Sequence, residues 1–509
     1  MSLTLSPSVP RLPRLNAPLL AALLTGAAAL LGLMLLGDGM LNDPDTFWQV
    51  KVGQWILGHH ALPSTDIYSF TRLNAPWIST SWLSQVLLAL SYGLAGVSGP
   101  VLLTLVAIAL SVTLLGLFLN AHLEIPRSLL FVILAAAQSV GHFLARPHML
   151  ALPVMVAWVG LLMRAADRRT TPSLLFLPLM ALWANLHGSF VLGLMLIGPI
   201  ALVALWEAAA EERVALFARW VLFGIAAAIA SCCTPYGYAT PLASLHILSL
   251  GKALNVIIEW YPSNFSSFSL FALALLALIA IAFHFRIRLS PPRILLVLGL
   301  LWMALNHARN VEVFAFLVPL VLAKPIGELA PLPTTGVPST APTRVAALAI
   351  VLATLAITAT YTSIRPFRVP EYRMPVAAVD AIERHQLKRV FNEYGYGGYL
   401  IWRDIPVFID GRTELYGEDF VVDWVNAVSL RNIDKLLHLL DDNHIDATLL
   451  PAGAPAAQFL DHIKGWKRLY SDDISVVHIR DGVDQTTATK ADLPLAAADL
   501  RLAPAANLP

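Results

Sequence analysis

Charge is scarce in this sequence: Lys, Arg, Asp and Glu make up 13% of its 509 residues. Soluble globular chains carry about a quarter, so a soluble protein of this length is excluded. The formal net charge of +1 leaves no basic surface for a nucleic-acid partner. Cysteine is nearly absent. Cys232 and Cys233 are adjacent at the end of an apolar run, where neither a good disulfide nor a metal-ligand spacing arises, and they read as small apolar residues. His187 and His307 have no ligand spacing to any other His or Cys, so no zinc site is read. GxSxG, P-loop and zincin motifs are missing, and soluble hydrolase and NTPase readings have no support.

What the chain has in abundance is apolar sequence, 57% of all residues. Apolar runs fall near 17–37, 83–97, 100–119, 128–145, 148–163, 173–187, 189–206, 218–233, 266–284, 293–306, 311–323 and 344–362. Many approach the ~20 residues that span a bilayer, which makes this an α-helical multi-pass membrane protein. Two arginines, Arg11 and Arg14, precede the first run, which has no cleavage-like end and reads as an uncleaved span. The run 83–97 is the shortest convincing one, and whether it crosses decides the side of everything after it. If it does not, Arg11, Arg14, Arg127, Arg164, Arg168, Arg169, Arg213, Arg219, Arg286, Arg288, Arg293, Lys324 and Arg344 share one side. If it does, every cluster from Arg164 to Arg293 moves outside, against the positive-inside rule. The first arrangement predicts about 11 transmembrane helices, a cytoplasmic N-terminus, and 83–97 as a juxtamembrane or re-entrant helix.

The stretch Asn42–Trp82 between the first two runs is polar. It begins with two carboxylates one residue apart, Asp43 and Asp45. A short amphipathic piece follows with Phe47, Trp48, Val52, Trp55 and Ile56. Pro63, Asp66, Asn74 and Pro76 punctuate a loop, and Trp48, Trp55, Trp77 and Trp82 suit a membrane interface. An acid pair at such an interface can serve as a general base for an acceptor hydroxyl, or hold a divalent cation, Mg²⁺ or Mn²⁺, beside a phosphate. Asp43 can equally cap the following helix.

The same side of the membrane collects the other unusual residues. Span ends carry Arg146-Pro147-His148, Asn185-Leu186-His187-Gly188, Thr234-Pro235-Tyr236-Gly237, Glu259-Trp260-Tyr261-Pro262 and Asn306-His307-Ala308-Arg309-Asn310, with Glu312 next. Ionisable groups at membrane depth are costly and face a cavity or a partner, so the set predicts a polar cavity. Residues 325–343 form a Pro/Thr-rich inner linker, which closes a transmembrane domain over 1–362. From 363 to 483 the composition is that of a small soluble α/β domain. It has expected helices at 376–385, 419–429, 431–443 and 455–464, and expected strands at Pro406–Asp410, Ala447–Leu450, Lys467–Tyr470 and Ser475–Arg480. Gly395-Tyr396-Gly397-Gly398 reads either as a tight turn, its glycines supplying positive φ, or as a loop closing on the cavity. Asp410-Gly411-Arg412 reads as a turn with an exposed salt bridge or as part of the site. Residues 484–509 are an Ala/Pro/Leu-rich tail, expected to be disordered.

Asp43-Pro44-Asp45, Trp48, Gly53-Gln54-Trp55-Ile56, Pro63, Asp66, Phe70-Thr71, Trp77 and Trp82, followed by Arg146-Pro147, Asn185-Leu186-His187-Gly188, Pro235-Tyr236-Gly237, Tyr396-Gly397-Gly398-Tyr399 and Asp410-Gly411-Arg412, resemble GT-C superfamily glycosyltransferases in a bacterial branch. The resemblance implies a catalytic Asp in the first outer loop (42–97) and juxtamembrane helices roofing a cavity for a polyprenyl-phosphate-linked sugar. Protein mannosyltransferases and aminoarabinose transferases usually carry Asp-Glu where this chain has Asp43-Pro44-Asp45. Oligosaccharyltransferase catalytic subunits have an acidic motif where it has Arg146-Pro147-His148, which leaves the cation open.

The expected function is an inverting membrane glycosyltransferase of the bacterial inner membrane. It would take a polyprenyl-phosphate-sugar donor and a glycan, lipid or protein acceptor at the periplasmic face. Asp43 and Asp45 are its candidate catalytic residues. Trp48, Asp66, Arg146, His148, His187, Glu259, His307, Arg309, Tyr396, Asp410 and Arg412 are candidates for substrate contact, the arginines because a guanidinium fork suits phosphate. Two other classes stay open. A flippase of a lipid-linked glycan predicts internal repeats and paired charges across the midplane; an envelope-assembly scaffold predicts a dispensable polar set.

Overall fold

The computed structural model describes residues 16–248, 251, 260–266, 268–285, 287–329, 341–370 and 374–482. Each apolar run of the sequence is a helix. In chain order the helices of the first part are α1 (Ala17–Met34), α2 (Asp45–His59), α3 (Trp82–Ala95), α4 (Ser98–Leu119), α5 (Ile125–Ser139), α6 (Pro147–Asp167), α7 (Leu177–Leu186), α8 (Phe190–Met195) and α9 (Ile197–Glu207). They continue with α10 (Arg213–Ser231), α11 (Ala239–Leu248), α12 (Leu270–Phe285), α13 (Pro291–Asn306), α14 (Val311–Gly327) and α15 (Ala341–Ile364). Among the described residues eight spans are long and apolar enough to cross a membrane, and α3, Leu174–Leu186, α12 and α13 are shorter apolar helices.

Contacts at the two ends of the bundle fix the course of the chain. Phe367, just beyond α15, lies against Gly37 at the end of α1, and its amide donates to Ser98 Oγ at the start of α4, 3.0 Å away. The end of α1 and the start of α4 are therefore on one side, and α3 between them does not cross. It lies instead against α2: Gln85 Nε2 donates to Gln49 Oε1 at 2.8 Å, and Gly53 meets the Gln85 carbonyl. At the opposite end the Asn16 amide donates to Thr343 Oγ1 at 3.1 Å, and Asn120 Nδ2 donates to the Pro18 carbonyl at 3.1 Å. There the buried Arg293 binds Asp167 and Glu207, the latter at 3.1 Å, while Lys324 also binds Glu207 at 2.9 Å. Four helix ends, those of α6, α9, α13 and α14, are so tied together. A buried cation of this kind persists only when fully paired and hydrogen-bonded; the Val321 carbonyl accepts from Arg293 Nη1 as well.

The C-terminal part is a small α/β unit. Its strands β1 (Val390–Asn392), β2 (Ala447–Pro451), β3 (Trp466–Ser471) and β4 (Ser475–Arg480) form a sheet in the order β1-β2-β4-β3. β1 runs parallel to β2, and the other pairs are antiparallel. Helices α16 (Val376–Arg384), α17 (Gly397–Trp402), α18 (Glu418–Val428), α19 (Ile433–Asp442) and α20 (Pro455–Leu460) cover it. The expected strand Pro406–Asp410 is extended but makes only isolated bridges, from Val407 to Val390 and to Ser69. The reason is Asn392, whose buried carboxamide accepts from the Phe408 amide at 2.8 Å and donates to the Ile409 carbonyl at 2.7 Å, in place of ladder bonds. On the other side of Val407 the Tyr68 carbonyl accepts at 3.1 Å and the Phe70 amide donates at 3.1 Å. The loop after α2 is thereby stitched to the sheet edge, and the soluble unit sits on the end of the bundle that carries Asp43.

Candidate active site

Local sequence rules place the acid pair. Pro44, with φ −59, opens α2, and Asp43 Oδ1 accepts the Asp45 amide at 2.8 Å, a capping bond for an otherwise orphan N–H. Asp45 stands in the first turn, where the helix dipole favours a carboxylate. Arg146 precedes Pro147, which holds it extended (φ −126, ψ 160) at the start of α6. Its fork reaches both acids: Nη1 lies 2.7 Å from Asp43 Oδ2 and Nη2 lies 2.7 Å from Asp45 Oδ2. All three side chains are less than a fifth exposed. Trp48, one turn on, donates its indole N–H to Asp45 Oδ1 at 3.0 Å.

The C-terminal unit closes directly over this pair. A Cβ on Gly398 would lie 2.5 Å from the Pro44 carbonyl oxygen and 3.0 Å from Trp48 Cδ1; one on Gly411 would lie 2.5 Å from Asp45 Oδ1. Neither residue has a left-handed φ, nor do Gly395 and Gly397. Gly398 and Gly411 are therefore needed for close approach to the acid pair and not for a left-handed turn, whereas a Cβ on Gly395 would meet nothing within 4 Å. The Tyr394 hydroxyl, hydrogen-bonded to Thr413 Oγ1 at 2.7 Å, is held well above its ordinary pKa by burial first and then by the charge of Asp45.

Beside this contact lies a buried clamp. Asp66, Asp410 and Arg412 have fully enclosed side chains. Arg412 Nη1 binds Asp66 Oδ1 at 2.6 Å and Nη2 binds Asp410 Oδ2 at 2.6 Å. Spare carboxylate lone pairs accept from Ser69 Oγ at 2.6 Å and from Tyr416 Oη at 2.7 Å. The Asp410-Gly411-Arg412 salt bridge is thus buried and not exposed. Its guanidinium also faces the rings of Trp77 (4.9 Å) and Tyr68 (5.4 Å). Trp77 packs on Trp48 with centroids 6.4 Å apart and donates to Glu414 Oε1 at 3.2 Å.

Of the residues singled out in the sequence, Asp43, Asp45, Trp48 and Arg146 meet at one point, and Asp66, Asp410 and Arg412 form the clamp next to it. The rings of His148 and His187 lie near each other at a tilt of 56°, 6.2 Å between centroids, with His187 Nδ1 2.9 Å from Ser189 Oγ. His307 and Arg309 form a separate group around Trp260: His307 Nδ1 lies 2.8 Å from the Trp260 carbonyl, and Arg309 lies 4.6 Å from the indole centroid. Tyr396 turns away, donating to the Ile474 carbonyl at 2.9 Å. Glu259 lies outside the described residues. Thr413, Glu414 and Tyr416 were not singled out, although they follow Asp410-Gly411-Arg412 directly in sequence.

A divalent cation takes six or more oxygen ligands. Among the described residues no group of three or more His, Cys, Asp or Glu could hold one, and both Oδ2 atoms of the acid pair face Arg146.

No family model and no curated protein matches the chain. Among solved structures it is similar to the archaeal oligosaccharyltransferase AglB from Archaeoglobus fulgidus in complex with an inhibitory peptide and a dolichol-phosphate: identity 11%, TM-score 0.48, covering 86% of this chain and 69% of that one. It is also similar to the apo form of the Archaeoglobus fulgidus oligosaccharyltransferase: identity 11%, TM-score 0.46, covering 85% and 69%. Likeness of this degree assigns no activity to the chain.

Proposed function

We propose that the protein is a multi-pass glycosyltransferase that moves a sugar from a polyprenyl-phosphate-linked donor to an acceptor hydroxyl or amide, with inversion. By the positive-inside rule the arginine-rich end of the bundle faces the cytoplasm of a bacterium, and the acid pair works at the periplasmic face. The observation that supports this best is the fork of Arg146 between Asp43 and Asp45, under the glycines of the C-terminal unit. A carboxylate within hydrogen-bond reach takes the acceptor proton. The acceptor atom then bonds the anomeric carbon, the bond from that carbon to the phosphate oxygen breaks, and its electron pair leaves with the lipid phosphate. A guanidinium fork pairs with phosphate as well as with carboxylate. As the donor docks, Arg146 exchanges a carboxylate for the phosphate, which stabilises the leaving group and frees a base in one movement. No step is assigned to a metal ion.

The test is transfer in membranes with a lipid-linked donor, at matched expression. Asp43→Asn and Asp45→Asn are each expected to leave the protein folded, and at least one of them to lose about 10²–10⁴-fold in rate, the usual loss for a general base. Near wild-type transfer by both variants would remove this mechanism.

A further inference from the structure

A second polar feature lies outside the acid pair. Between α2 and the C-terminal unit is an open cleft of about 430 Å³, lined by Lys51, Gln54, Trp55, Tyr68 and Asp404 over an apolar floor that includes Ile405. That volume is within the range of ligand pockets. The Tyr68 hydroxyl is buried with no hydrogen-bond partner in the protein, an unusual state for a native polar group. Lys51 Nζ meets Asp404 at 2.6 Å across the cleft, with 76% of the aspartate side chain exposed. Asp404 itself holds a left-handed φ of +58 because it caps α17, its amide donating to the Ile401 carbonyl and that of Ile405 to the Leu400 carbonyl. The lining therefore offers donors and acceptors in mixture beside one indole ring.

That mixture selects the ligand. An acyl chain would leave Gln54 and the Tyr68 hydroxyl without a partner and would offer nothing to the Lys51–Asp404 ion pair. An anion would meet Lys51 already neutralised and Asp404 repelling it. A neutral sugar satisfies both parts of the lining, its hydroxyls on the polar groups and its apolar face on Trp55. Trp55 lies ten residues beyond Asp45 on the same helix, about 15 Å along the axis. A line of contacts joins the cleft to the acid pair: Tyr68 faces Arg412, Arg412 faces Trp77, Trp77 packs on Trp48, and Trp48 donates to Asp45.

We propose that this cleft binds a neutral saccharide, and that the saccharide is the non-reacting part of the acceptor. The second clause rests on the transferase reading; the first does not. The experiment is calorimetric titration of the purified full chain with uncharged trisaccharides (maltotriose, mannotriose and chitotriose) and with trigalacturonate. Saturable binding of at least one neutral trisaccharide is expected. Trp55→Ala is expected to weaken it about tenfold, the scale of one lost aromatic contact, and Gln54→Ala or Tyr68→Phe to weaken it severalfold. Gln54 is exposed, so its variant is available even where Trp55→Ala fails to fold. Absence of saturable binding to any neutral trisaccharide, binding unchanged in the Gln54 and Tyr68 variants, or preference for trigalacturonate would each overturn the proposal. Saccharide binding without any sugar transfer by the wild-type protein would instead keep the cleft and sink the transferase reading.

Discussion

Gly398 and Gly411 set how near the C-terminal unit comes to the acid pair. At both positions the atom a methyl would strike is fixed: the Pro44 carbonyl oxygen for Gly398, and the carboxylate of Asp45, already held by Arg146 and Trp48, for Gly411. Neither neighbour is the loose end of a flexible side chain, so Gly398→Ala and Gly411→Ala must push the two parts of the molecule apart. Overpacking of this kind typically costs about 1–3 kcal/mol, which a chain of this size can bear. Both variants are therefore expected to insert and fold, with a thermal midpoint lowered by a few degrees, and to lose at least tenfold in transfer because the cover over Asp45 is displaced. Gly395→Ala is the control: nothing lies within 4 Å of its Cβ position, and transfer should stay near wild type. Equal activity of all three variants would show that the approach has no role. Asp43 and Asp45 were legible in the sequence from their place after the first apolar run. Their pairing with Arg146 was not, because it joins residues about a hundred positions apart and depends on the starts of α2 and α6 lying side by side in the fold. The reason for the glycines was likewise hidden: sequence can suggest a turn, but not which backbone comes close.

The two elements that meet above the bundle, the loop after α2 and the segment 404–416, are joined by the Asp66–Arg412–Asp410 clamp. Removing the guanidinium leaves two buried carboxylates without a counter-charge, a change that typically costs about 3–5 kcal/mol. Arg412→Ala is accordingly expected to loosen the C-terminal unit, seen as rapid proteolysis between the bundle and residue 374 while α1–α15 stay protected. Arg412→Lys should not rescue it, since three carboxylate oxygens need a planar fork. Equal protease resistance of Arg412→Ala and wild type would remove the clamp from this account. The same unit carries a pH signature. Burial raises the Glu393 carboxyl from 4.5 to about 7, partly opposed by the amides of Gly395 and Tyr394. The folded state therefore holds a proton that the unfolded state has lost, so stability should fall as pH rises from about 4.5 to about 7; burial of Glu414 pushes the same way. Glu393→Gln should flatten part of that fall and raise the thermal midpoint above wild type at pH 8, with little difference at pH 4. A midpoint unchanged at pH 8 would contradict it. Sequence patterning found α16, α18, α19, α20, β2, β3 and β4 within a few residues, and assigned neither β1 nor α17. It gave Pro406–Asp410 as an ordinary strand, because nothing in a sequence shows that the side chain of Asn392 will take the place of a ladder.

At the scale of the whole molecule, one short helix decides which residues share a compartment. Arginine counting placed 83–97 on the membrane surface, and the structure, by separate contacts, brings together the two ends of the segment that contains α3. The end of α1 and the start of α4 both touch Phe367, while the start of α1, the end of α4 and the start of α15 meet at the opposite end through Asn16, Asn120, Pro18 and Thr343. The two lines are independent, since one uses charge alone and the other uses packing alone. Sidedness itself comes only from charge: Arg164, Arg168, Arg169, Arg213 and Arg293 lie at the end away from the acid pair, and that end should be cytoplasmic. Fusions of alkaline phosphatase, active only outside, and of a fluorescent protein that matures only inside, distinguish the cases. Fusions after Gly99 and after Ile364 should be phosphatase-active, and one after Arg169 should be fluorescent. The contrast between Gly99 and Arg169 is the informative pair, because three crossings (α4, α5 and α6) separate them, so the two must report opposite sides. Crossing by α3 would leave that opposition intact but exchange both signals relative to a fusion after Asp38. Phosphatase activity at Arg169 would put the arginine clusters outside, and with them the acid pair and the C-terminal unit inside. A lipid-linked donor displayed on the periplasmic leaflet could not then reach Asp43, and the proposed reaction would have to move to the other face of the membrane.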